Sequence, residues 1–300
     1  MYKPLLLFSS ALFLLLVACQ PPLKTVPRKV KTGLDTLSYT AVLEQEDFAR
    51  LPGNFAMRHL AGIRIKDRGW SRDCEYPEVV ERARNKAMKL GGNVMVITRH
   101  ELPDQTGSSC SRISAEVYLA PSLEGLERSI RWDPSRPLLP GDLRGTPKNG
   151  ATDLPTVKCA LKYRLLGDFF NEITFRTQAT FLSDETWASG ANLGKSQLLR
   201  RAQLHFNLAE LSARRFKNEL AALAPNLSAI TGRAKPLMAE QEAAWQQRAA
   251  EFDAAWRGSN FSEAVLAQWE AKISAELGEL VARSGDVTVS LLKRDYIKNE

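Results

Sequence analysis

Apolar residues along this chain follow three different rhythms, and each predicts a different structure. From Leu5 to Ala18 they run nearly continuously, interrupted by Ser9-Ser10 alone. Between about 55 and 120 they come in bursts that switch between a period of two and a period of three to four, the pattern of strands mixed with a helix. Ala61 to Ile65 reads as a strand. Pro77 opens a helix at a first-turn position, where its missing N–H costs nothing. Val80, Ala83, Ala87 and Leu90 give that helix one buried face, and Gly91-Gly92 ends it. Val94-Met95-Val96-Ile97 is short and apolar like a buried strand, and Ile113, Ala115, Val117 and Leu119 alternate within a last strand from Ser111 to Leu119.

Residues 121–155 lose this periodicity and are rich in Pro and Gly, so they predict a connector. Period two then returns. Val157, Cys159, Leu161, Tyr163 and Leu165 share one face, a Gly167-Asp168 turn follows, and Ile173, Phe175, Thr177, Ala179 and Phe181 continue the inward face while Glu172, Thr174, Arg176 and Gln178 point out. That is a hairpin. Beyond it the period is helical. Leu199, Ala202, Phe206, Ala209, Ala213, Phe216, Leu220 and Leu223 mark a long amphipathic helix ended by Pro225, with Arg214, Arg215 and Lys217 as an expected solvated face. Trp245, Ala249, Phe252 and Trp256 mark a second helix, and Leu266, Trp269, Ile273 and Leu280 a third, opened by Asn260 and Glu263 at capping-box spacing. Val287 to Leu291 reads as a closing strand. The expected class is therefore α+β. Its expected divisions are a leader at 1–18, a flexible tether at 19–47, a small α+β unit at 48–121, a connector and domain start at 122–155, and a hairpin-plus-three-helix domain at 156–300.

The N-terminal run changes the picture most. Preceded by Lys3, it is too short to cross ~30 Å of hydrocarbon comfortably but fits the apolar region of a secretory signal. It closes on Leu16-Val17-Ala18-Cys19. This looks like the lipobox of bacterial lipoproteins, in which the signal is cut before the cysteine and acyl chains are placed on it. The resemblance implies a lipidated Cys19, and Gln20, in place of Asp, points to the outer membrane of a Gram-negative cell with the domains in the periplasm. The formal charge of +7 is spread along the chain, which speaks against a nucleic-acid partner. The expected partners are a membrane, through the lipid, and an envelope protein, peptide or glycan.

An oxidising compartment lets cysteines pair. Cys74 precedes the first helix and Cys110 the last strand of the small unit, so these two are expected to bridge, leaving Cys159 on its strand face as a small apolar residue. The same unit carries Ala83, Ala87, Gly91-Gly92-Asn93, then Cys110 and Ala115-Glu116-Val117-Tyr118. In this it resembles small disulfide-containing envelope lipoprotein domains, including the Rcs-type stress sensor.

The long helix contains Arg200-Arg201-Ala202-Gln203-Leu204-His205-Phe206-Asn207-Leu208-Ala209-Glu210. With Trp132, Pro137-Leu138, Asp142 and Gly145 before it, and Trp187, Phe252-Asp253, Gly258 and Gln268-Trp269 around it, this resembles a family of secreted bacterial zinc-dependent proteases, which implies a zincin-like second domain. In a His-Glu-x-x-His helix, histidines at i and i+4 grip one Zn²⁺ and the glutamate activates its water. Here Arg201 stands for the first histidine, Ala202 for the glutamate and Arg257 for a downstream histidine, while His205 remains. A guanidinium has no lone pair to give a metal. No catalytic residue, metal ligand or cofactor is expected, zinc being the one metal the resemblance would allow. His205 reads either as a packed relic or as part of a ligand cleft with Arg201, Glu210 and Arg257. The implied function is non-catalytic binding, sensing or envelope assembly, with a hydrolase rebuilt around His205 as the alternative.

Overall fold

The computed structural model describes residues 23–27, 39–51, 55–66, 74–103, 110–146, 154, 156–167, 169–187 and 194–292. The leader, Cys19, Asp168 and the chain beyond Leu292 lie outside them. The described chain is a mixed α and β structure with two sheets.

The first sheet has five strands in the order β1 (Leu23–Pro27), β3 (Arg58–Ile65), β5 (Arg112–Leu119), β4 (Val94–Glu101) and β2 (Ala41–Glu44). Helix α2 (Tyr76–Lys89) covers one face, where Val79, Ala83 and Ala87 meet Ile63, Ile65, Met95, Ile113, Ala115 and Val117. Gly91 takes φ +79°, and a Cβ on Gly92 would run into Val117, so both glycines of the stop are required. Short helix α1 (Gln45–Ala49) follows β2 directly, and Phe48 joins Tyr39, Leu43, Val96 and Leu126 in a second apolar cluster. Cys74 and Cys110 form a disulfide with Cα atoms 4.9 Å apart, as expected.

The tether is shorter than its composition predicts. Leu23–Pro27 pairs antiparallel with β3 at the sheet edge, and β2 pairs parallel with β4. An edge tolerates proline because an outward position needs no N–H. Tyr39, Ala41 and Leu43 are buried, so residues 39–47 belong to the folded unit.

The second sheet has β7 (Cys159–Gly167) and β8 (Glu172–Leu182) as its hairpin, with β6 (Ser129–Arg131) and β9 (Val287–Ser290) both pairing on the far side of β8. Helices α3 (Lys195–Ala221), α4 (Leu227–Gly258) and α5 (Glu263–Glu279) pack beneath it. Helix α3 is apolar on two sides. Ala202, Phe206, Ala209, Ala213, Phe216 and Leu220 face the sheet. Leu204, Leu208 and Leu211 face Phe252, Trp256 and Ile273 of α4 and α5.

This central position overturns the solvated face expected on α3. Arg214 and Lys217 are buried; Arg214 donates to Glu210 at 2.9 Å and to the Leu277 carbonyl at 2.7 Å, and Lys217 donates to the Gly285 carbonyl at 2.8 Å. The capping box is not formed either. Asn260 takes φ +54° and Ser262 is the N-cap of α5, without a side-chain cap. Helix α4 opens instead on Asn226, whose side chain accepts from the Ala229 N–H at 2.9 Å.

The connector is a built joint. Arg136 binds both oxygens of Asp142, at 2.9 and 3.0 Å, and Asp142 also accepts the N–H groups of Gly125 and Leu139. Glu127 accepts from the Tyr39 hydroxyl at 2.7 Å and lies 3.5 Å from Arg136. All of these side chains are buried. Glu78 of α2, buried as well, accepts from Arg164 of β7 at 2.9 Å and Arg176 of β8 at 3.5 Å. The outward side of Arg176 is thus turned toward the first unit.

Candidate functional site

Helix α3 has a third, polar side. Arg201 and His205 are one turn apart and both reach Asp253 on α4. The Arg201 guanidinium grips the carboxylate with two bonds, Nε to Oδ1 at 2.8 Å and Nη2 to Oδ2 at 2.6 Å. His205 Nε2 lies 3.1 Å from Oδ1. Arg201 is 4% exposed and His205 7%, while Asp253 keeps 21% of its side chain exposed. The apolar stripe of α4 holds the carboxylate in place: the Phe252 ring meets the His205 ring edge-on at 5.9 Å and stacks on Trp256 at 5.9 Å.

The electrostatics follow from burial and pairing. Burial works to raise the Asp253 carboxyl, but the hydrogen bonds from His205 and Arg201 and their charges overcome it and hold it at about 2. Burial also lowers His205, reinforced by the Arg201 charge, against the pull of Asp253. The balance at His205 is thus shifted toward the neutral imidazole. An ionised carboxylate beside Nε2 places the ring proton on that nitrogen, which donates, and leaves the lone pair on Nδ1.

A cleft of about 580 Å³ opens beside this centre. Its walls are the start of β7 with the residues just before it (157–161) and one side of α4, with Glu242, Trp245, Gln246 and Ala249; His205 and Asp253 line it as well. Strand β7 pairs with β8 alone among the described residues, so its other edge runs along the sheet border. Cys159 is half-buried and lines the cleft, with burial pushing its thiol well up and out of reactive range.

Two members of the expected ligand cleft lie elsewhere. Glu210 is paired with Arg214 inside the helix bundle, and Arg257 is exposed beyond the last buried turn of α4. Ala202 packs under the sheet. The residue missed by sequence reasoning is Asp253. It follows Phe252 and stands four residues after Ala249, so it borders the buried stripe of α4, and a carboxylate there implies a cation coming from a neighbouring helix.

The donors present do not fit a zinc ion. His205 Nε2 and both Asp253 oxygens are engaged with each other or with Arg201, and a fixed cation stands where a ligand would. Among the described residues no group of three His, Cys, Asp or Glu side chains converges. Three further residues of the quoted pattern have packing or hydrogen-bonding roles: Trp132 donates to Asn207 at 2.9 Å, Asp142 anchors the joint, and a Cβ on Gly145 would lie 2.9 Å from the Thr186 backbone. No protein-family model, curated protein or solved structure matches the chain.

Proposed function

We propose that this is a lipid-anchored periplasmic binding protein whose second domain is a zincin-like scaffold without its metal. Acylation of Cys19 places it on the outer membrane, and the cleft between β7 and α4 receives a polypeptide partner of the envelope. The observation that carries the reading is the Arg201–Asp253–His205 centre: an ion pair occupies the two helix positions where the resembled peptidases keep metal-binding histidines, and Ala202 stands where they keep the base. The edge of β7 that no described strand pairs supports the choice of ligand, since an extended segment can add to such an edge through backbone hydrogen bonds while a neighbouring pocket selects its side chains. With Arg201 committed to Asp253 and Arg257 outside, the cleft has too little spare positive charge to favour a small anion.

The test is elemental analysis of the purified protein after equilibration with zinc, run beside a peptidase assay. Substoichiometric zinc and no chelator-sensitive hydrolysis are expected. Stoichiometric zinc with chelator-sensitive hydrolysis refutes the reading.

A further inference from the structure

The open face of the first sheet carries a second cleft, of about 270 Å³, on the side opposite α2. Alternation along the strands puts Ile65 and Ile113 into the core and Arg64, Lys66 and Arg112 outward. Arg99 completes a group of four cations that line this cleft. Glu101 is the acidic residue among them. It holds Arg99 at 2.9 Å and Arg112 at 3.1 Å, which fixes the two guanidinium groups side by side and leaves the cluster at a net positive charge. The next residue, Leu102, is 71% exposed, one of the few large apolar side chains so exposed among the described residues.

Strand register says where this cleft sits. Ile65 pairs with Ile113, and Ile113 with His100, so the cations gather at one end of the sheet. Leu23, the first residue of β1, pairs with Ile65 at that same end. Cys19 is four residues earlier, and four residues span at most ~14 Å. An acyl group on Cys19 therefore holds the cationic end of the sheet close to the lipid surface, whatever path the intervening residues take.

The geometry points to this cleft as a membrane-docking site that seats the phosphates of anionic phospholipid headgroups, with Leu102 entering the interface beside them. The inference rests on the lipidated-Cys19 reading. Exposed cations with an apolar neighbour are the combination an anionic interface rewards. The lipid supplies durable attachment; the cleft fixes how the first domain lies on the surface.

The test separates the two claims. Mass spectrometry of the wild-type protein from a Gram-negative host reads the acyl group on Cys19 by itself. Vesicle co-sedimentation of the Cys19→Ala protein produced without the leader, as residues 19–300, then reads the cleft without acyl chain or apolar leader. Binding is expected to vesicles holding about 30% phosphatidylglycerol in phosphatidylcholine and not to phosphatidylcholine alone, and is expected to fade in about 0.5 M salt. Each cation near such a surface contributes about fivefold in partition. Adding Arg64→Glu and Arg99→Glu should therefore weaken binding at least about 25-fold, while Lys89→Glu with Lys235→Glu, the same charge change on exposed helical positions, should leave the phosphatidylglycerol preference in place. The milder Arg64→Gln with Arg99→Gln guards against misfolding and should weaken binding in the same direction. Equal binding to both vesicle types, or equal loss in the helical control, overturns the docking site. Saturable binding of inorganic phosphate without vesicle binding overturns it in favour of a free-anion site. A missing acyl group with intact vesicle selectivity refutes the anchor and keeps the cleft.

Discussion

The substitution Asp253→Ala tests whether the centre of the second domain is a structural ion pair. It removes the acceptor shared by Arg201 and His205 and leaves the Arg201 guanidinium, 4% exposed, without its carboxylate. Breaking a buried pair from one side costs about 3–5 kcal/mol. The carboxyl itself gives a second measure. It drops from an ordinary 3.8 to about 2 on folding, and at 1.36 kcal/mol per pH unit this is about 2.5 kcal/mol. The two agree on a loss of about 3 kcal/mol at neutral pH. Because the folded value is depressed, this stability is present above pH 3.8 and is lost as pH falls through about 2. Every tryptophan except Trp70 lies in the second domain, so urea unfolding followed by tryptophan fluorescence reports on it. Adding Arg201→Met should recover part of the loss, and the resulting cycle should show coupling of about 2 kcal/mol. A loss below about 1 kcal/mol, or strict additivity with Arg201→Met, would refute the ion-pair account.

Three further outcomes are expected. Arg201→His puts two imidazoles at i and i+4 beside Asp253 and should confer zinc uptake measurable by elemental analysis, whereas Arg201→Lys should not. Replacing Cys74 and Cys110, which are 36 positions apart, together by Ala should cost the first domain about 4 kcal/mol on the loop-entropy account, seen as a lower urea midpoint by amide exchange in β3 to β5 while the tryptophan transition stays put. Burial pushes the Glu127 carboxyl up from 4.5 to about 7, against the Tyr39 hydrogen bond and Arg136. The folded chain thus holds a proton that the unfolded chain has released above 4.5, so stability is full below that pH and falls by about 3 kcal/mol as pH rises through 7. Glu127→Gln should flatten that slope in urea titrations at pH 5 and pH 8.

What the sequence shows clearly is what local periodicity encodes. The β7–β8 hairpin, helix α3 and strand β5 were all legible because their buried residues recur at the spacing of the element itself. The Cys74–Cys110 bridge was legible because few cysteines leave few pairings. The misreadings share a cause, which is a partner that comes from far away. Tyr39 to Leu43 look like tether until β4, some fifty residues later, lies beside them. Glu127, Arg136 and Asp142 look like loop residues because each is polar, yet together they form one buried joint. Arg214 and Lys217 look solvated because the carbonyl groups they bind, at Leu277 and Gly285, come from the end of α5 and the segment after it. Arg201 and His205 were legible as two polar residues one turn apart on the long helix, but the carboxylate that gives them a common role is on another helix.

On the proposed reading, an ion pair stands between α3 and α4 where a metal would otherwise link them. A zinc ion held by one helix and a residue after the next would cross-link the two. In this chain the link between α3 and α4 is made by Asp253 with Arg201 and His205, at 2.6 to 3.1 Å. Arginine suits the exchange: its planar fork matches both carboxylate oxygens, and it stays charged at every physiological pH. A lysine would offer a point charge, and a neutral residue would leave Asp253 with an unpaired charge beside a neutral imidazole. On the proposed reading, Arg201 therefore stands where the first ligand would and at the same time neutralises Asp253. The apolar sides of α3, facing the sheet and the other two helices, are independent of that choice, so on the proposed reading the packing of the scaffold does not depend on which residue stands at 201.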